Sequence, residues 1–143
     1  MKYEFGSSPW LAAIHALFCE RAAAQAGKGV KLSYAMCEVY TDAPSEIANM
    51  PGAKLAWYVK IEGAHVAFDF CERDDVDFKV VGDYASVRTL ARFDTMHSEQ
   101  RLSELMALAK KLIGAGKMKL IGKPPDPAGP LGSIHDAMAH LTA

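Results

Sequence analysis

Leu55, Trp57, Val59 and Ile61 alternate with Ala56, Tyr58, Lys60 and Glu62, and past Gly63 the alternation resumes as Val66, Phe68 and Phe70 against Ala67 and Asp69. Residues two apart share one face of a strand, so this stretch predicts a β-hairpin with one apolar side. The same period places an earlier strand at Val30, Leu32, Tyr34 and Met36, with Lys31, Ser33 and Ala35 facing away. After an acidic turn at Glu72 to Asp75, Val76, Phe78 and Val80 predict a third antiparallel strand continuing from the hairpin.

Four other segments repeat at the helical period. Trp10, Ile14, Leu17, Phe18 and Arg21 mark a helix that Ser8 would cap, with Pro9 at its first position, ending near Gly27. Asp83 would cap a second helix carrying Tyr84, Val87, Leu90 and Ala91. Leu102, Leu105, Met106, Ala109, Leu112 and Ile113 stripe a third, and Leu131, Ile134, Met138 and Leu141 a last one, with His135 on the same side. Thr41 to Gly52, with two prolines, reads as a loop.

Gly114-Ala115-Gly116-Lys117 invites a phosphate-loop reading, which requires a strand before the glycines and a helix after them. Here a helix comes first and a short strand, Lys117 to Ile121, follows. The glycines therefore read as a helix stop in left-handed geometry. The sum is an α+β fold: an about five-stranded, mostly antiparallel sheet with helices packed on one face around an expected apolar cavity, in one domain spanning residues 1–143.

Composition narrows the function classes. The formal net charge is −1 with no long single-sign block, which argues against a nucleic-acid partner. Cys19, Cys37 and Cys71 are odd in number and form no Cys-x-x-Cys pair, and the opening MKYEFGSSPW has no signal-like apolar core, so the expected setting is the cytoplasm. No apolar run approaches the roughly 20 residues that span a bilayer, so stable membrane insertion is not expected.

Candidate chemistry is sparse. Of the five histidines only His135 and His140 are close, and five residues place them about 140° apart round a helix, so no metal site is expected. His15 and Cys19 share a helical face, but nothing nearby would lower the thiol pKa. Glu72, Asp74, Asp75 and Asp77 lack the glycine and spacing of a calcium loop and read as a solvated hairpin tip. Glu38 and Glu46 have no identifiable carboxylate partner for acid–base work. What remains is an apolar inventory on one face, Trp57, Phe68, Phe70 and Phe78, with Leu105, Met106, Ile134 and Met138 brought over it. Whether this is a filled core or a pocket stays open.

The arrangement resembles the type-2 sterol carrier protein family. The residues that carry the likeness are WYVKIEGAHVAFDF as the central hairpin, DFKVVGDYASVRTLARF as strand, Gly-Asp turn and helix, and LIGAGKMKLIGK with LGSIHDAMAHL as the last helix, strand and helix, together covering roughly residues 54 to 141. The resemblance implies an apolar tunnel for fatty acyl chains, sterols or similar lipids, lined by Trp57, Val59, Phe68, Phe70, Phe78, Leu105, Met106, Ile134 and Met138. It implies no cofactor, no catalytic residue and no covalent chemistry. A second class stays in play, a small or accessory enzyme domain acting on a hydrophobic substrate with His135 as base. Self-association is left open. The closing helix, tethered through the Pro124 to Pro130 loop, is expected to share few contacts with the rest and to gate the interior.

Overall fold

The computed structural model describes residues 1–143. Helix α1 (Ser8–Gly27) is capped by Ser7, whose hydroxyl accepts from the Trp10 N–H at 3.3 Å; the cap lies one residue ahead of the expected Ser8. The strands are β1 (Ser33–Thr41), β2 (Leu55–Glu62), β3 (His65–Asp69), β4 (Phe78–Asp83) and β5 (Met118–Gly122). The other helices are α2 (Tyr84–Ala91), α3 (Glu99–Gly114) and α4 (Ile134–Leu141). β1 starts and ends later than the alternation from Val30 suggested, reaching into the segment read as a loop.

The strands lie in the order β3-β2-β1-β4-β5. The hairpin of β2 and β3 forms as predicted, with Tyr58 opposite Asp69 and Glu62 opposite His65. β4 does not continue that meander. It pairs in parallel with β1, Met36 opposite Phe78 and Tyr40 opposite Gly82, so the sheet is mixed though mostly antiparallel. A meander would leave the outer-facing apolar residues of the central pair, Ala35, Cys37, Val39, Ala56 and Tyr58, in water. The link from β3 to β4 crosses that face instead and covers them.

The acidic residues pin the crossing, which corrects their reading as a solvated hairpin tip. Lys79 Nζ reaches Glu72 at 2.8 Å and Asp74 at 2.6 Å, Asp77 accepts from the Ala35 N–H at 2.8 Å, and the Arg73 guanidinium lies 4.8 Å from the centre of the Tyr58 ring. The helices lie on the opposite, inner face, where one apolar cluster joins α1, α2 and α4 to the inward rows of the strands.

The stop of α3 is a Schellman turn. The Lys117 N–H donates to Leu112 O and the Gly116 N–H to Ile113 O, and only Gly116, with φ 74°, adopts the left-handed backbone; Gly114 remains helical.

The closing helix is tied down rather than loosely hinged. Trp10 Nε1–H donates to Thr142 Oγ1 at 3.0 Å, and Tyr3 exchanges backbone hydrogen bonds with Leu141 and Ala143. Asp136, buried in α4, accepts from both the Thr95 N–H and the Thr95 hydroxyl. The gate expectation fails here because both chain ends converge on Trp10. Replacing Asp136→Ala would strand a buried amide, so it should lower the unfolding free energy by about 2 kcal/mol in urea titrations; an unchanged midpoint would contradict this role.

Candidate functional site

The inner face of the sheet is packed in two different ways. Beneath α1 the interior is closed: Ile14, Phe18 and Trp57 are 0% exposed. Trp57 stacks on Phe68 at 5.6 Å, and Phe68 in turn stacks on His15 at 4.8 Å. Toward β1 and β4 the packing loosens, and Met36, Phe78 and Val80 keep 5%, 8% and 7% exposure although they face the helices. Above them α3 buries none of its residues fully, and Leu105, Leu112 and Met138 are half-buried. Solvent thus reaches a narrow seam on the inner rows of β1 and β4, where Glu38 is only half-buried.

Glu38 sits on the floor of this seam. In β1 it shares its face with Met36 and Tyr40, and it lies opposite Trp57 on one side and Val80 on the other. An indole N–H only donates, so Trp57 Nε1–H donates a hydrogen bond to Tyr40 Oη at 2.8 Å, and the Tyr40 hydroxyl donates one to Glu38 Oε1 at 2.7 Å. The order of this chain is fixed at its indole end. No cation pairs with Glu38.

Its second oxygen, Oε2, has no protein partner, yet no buried side-chain oxygen in the chain lacks one. Oε2 therefore opens onto the solvent-reached seam. Glu38 keeps partial surface exposure, yet enough protein surrounds its carboxyl that desolvation pushes its pKa up to about 7 against the opposing Tyr40 hydrogen bond. Burial and then the neighbouring Glu38 charge push the Tyr40 phenol well above its ordinary value.

At the start of β1 the inner row meets a cleft of about 310 Å³ between Tyr34, Leu131 and the proline loop. The Tyr34 hydroxyl donates to Lys123 O at 2.8 Å, and burial, then the charge of Asp77, raise its pKa.

The residues expected to line a tunnel fall into three groups. Trp57, Val59 and Phe68 gather in the closed half. Phe78 and Ile134 are buried, and Leu105 and Met138 half-buried, in elements around the seam. Phe70 and Met106 are largely exposed, at 57% and 65%, although the Phe70 ring meets Phe68 edge-on at 5.9 Å. β3 ends at Asp69 where the chain turns to cross the outer face, and Met106 lies on the solvent side of a stripe too broad for α3 to bury whole.

His135 Nε2 meets Phe93 O at 2.8 Å; a carbonyl only accepts, so that nitrogen carries the proton and is committed to the backbone. His140 meets Asp94 at 2.7 Å near the surface, and Cys19 is exposed. Sequence spacing offers Glu38 no carboxylate partner and so passes it over. Its signal is a different one, a charged residue at an inward position of a central strand, between Met36 and Tyr40.

The raised pKa has a stability consequence of definite sign. The folded chain holds this proton more tightly than the unfolded chain, so the carboxyl's contribution is full below about 4.5 and is lost as pH climbs through about 7. The loss amounts to about 3 kcal/mol, an upper figure because water reaches the carboxyl in part. Glu38→Gln should therefore gain stability on the wild type between pH 5 and pH 8 in urea unfolding, whereas parallel pH profiles would contradict the buried carboxyl.

No family model matches the chain, and no curated protein matches it. Among solved structures the chain is similar to the "UbiJ-SCP2 Ubiquinone synthesis protein", with 14% identity over 91% of this chain and 92% of that one and a TM-score of 0.42. It is also similar to a conserved hypothetical protein of Thermus thermophilus, described as a candidate sterol carrier protein, with 12% identity over 100% of this chain and 94% of that one and a TM-score of 0.47.

Proposed function

We propose that this chain takes up an apolar small molecule, of the fatty acyl or sterol-like class, between α2, α3 and α4 and the inner face of β1 and β4, and releases it unchanged. The observation that carries the reading is the free Glu38 Oε2 among apolar side chains that keep residual exposure in the interior of the domain. Phe78, Ile134, Met138 and Leu105 stand as the apolar contacts, and Trp57, Val59 and Phe68 as the closed wall behind them. α3 is the mobile roof in this reading, since it has no fully buried residue to anchor it. Phe70 and Met106 are left out of the lining because of their exposure.

Each methylene withdrawn from water contributes about 0.8 kcal/mol. A chain of about ten, set against the several kcal/mol lost on association, gives micromolar binding. The reading agrees with what the resemblance over residues 54 to 141 implies. A catalytic role for His135 has less support, because Nδ1, the basic nitrogen left when Nε2–H donates to Phe93 O, meets no side-chain partner in the chain.

Val80 neighbours Glu38 on the inner face, so Val80→Phe should fill the seam. Titration with Nile red should saturate at micromolar concentration in the wild type and weaken at least five-fold in Val80→Phe, with the far-ultraviolet circular dichroism preserved. Absence of saturable binding by the wild type would overturn the reading.

A further inference from the structure

Resting on that reading, we infer that the ligand ends in a hydroxyl group and that Glu38 Oε2 is its anchor. One oxygen of the Glu38 carboxyl is left free. Tyr40 occupies Oε1 and can donate nowhere else along the chain, because Trp57 already donates to it. Oε2 is thus the polar atom that the Trp57–Tyr40–Glu38 chain presents to the seam, and around it stand Met36, Val80 and Phe78. An apolar guest with no polar end would cover Oε2 and leave it without a partner, which costs binding free energy.

The charge state of Glu38 selects among polar ends. With a pKa of about 7, the carboxyl is present near neutrality both as anion and as acid. The anion only accepts a hydrogen bond at Oε2, and the acid, with Tyr40 held on Oε1, donates one there. A ligand carboxylate would meet repulsion from the anion. An ether or ester oxygen matches the acid alone, and an ammonium matches the anion alone. A hydroxyl both donates and accepts, so it satisfies Oε2 in either state. No cation pairs with Glu38 to alter this preference, and no charge other than its own dominates its titration.

The test compares 1-decanol with decyl methyl ether and with decanoate at pH 8, by displacement of Nile red from the full chain. The wild type should bind decanol about tenfold tighter than the ether, the size of effect one hydrogen bond to a charged group gives, and should bind decanoate weakest. Glu38→Leu should bind decanol and ether alike. Glu38→Gln, which removes the charge and keeps polar atoms, should raise decanoate affinity while preserving that for decanol. Circular dichroism confirms that each variant is folded. Equal affinity for decanol and ether in the wild type would overturn the anchor and leave the apolar site standing. Failure of all three ligands and of Nile red to bind would overturn the site itself, and the anchor with it.

Discussion

A carboxyl group buried without a cation is costly, and the inner face of this sheet is organised around one. Glu38 stands on the central strand β1, between a tryptophan and a valine on its neighbours, and its Oε1 accepts a hydrogen bond from the Tyr40 hydroxyl. That bond also fixes Tyr40, and through Tyr40 the indole of Trp57. Trp57 in turn sets the stack with Phe68 and His15 under α1. The closed half of the interior is thereby tied to the one polar group that faces the open half.

The rest of the architecture follows from covering two apolar faces with few elements. Four helices share the inner face, so none is left for the outer one. The β3–β4 crossing does that work, fastened by Lys79, Arg73 and Asp77, and the parallel pairing of β4 with β1 is its result. At the other end the two chain termini pair beside Trp10, which anchors α4. With α1 and α4 fixed, α3 is the least buried of the inner elements, and the seam beside it is where the interior remains reachable.

Local patterns in the sequence are legible wherever the period is unbroken. The β2–β3 hairpin, the Asp83 cap of α2 and the extent of α3 all follow from spacing and capping chemistry. The order of strands is not legible, because alternation reports which face a residue takes and says nothing about which neighbour the strand pairs with. The acidic run misleads for the same reason: its partners Lys79 and Ala35 become neighbours only once β4 has crossed the sheet. Phe70 and Met106 extend apolar stripes beyond what the fold can cover. Glu38 lies past the alternation that ends at Met36, so its inward position shows only in β1 itself, and its hydrogen-bond chain depends on the β1–β2 register, which sets Trp57 opposite it.

A crystal structure of the full chain grown with 1-decanol would show whether the inner face holds a solvent-reached apolar seam with the Glu38 carboxyl on its floor. Density for the alkyl chain is expected along the inner rows of β1 and β4, with the hydroxyl in hydrogen-bond contact with Glu38 Oε2 and Tyr40 still on Oε1. A seam closed by Phe78, Val80 and Met138 in mutual contact, with no alkyl density and Glu38 turned out to bulk solvent, would contradict it.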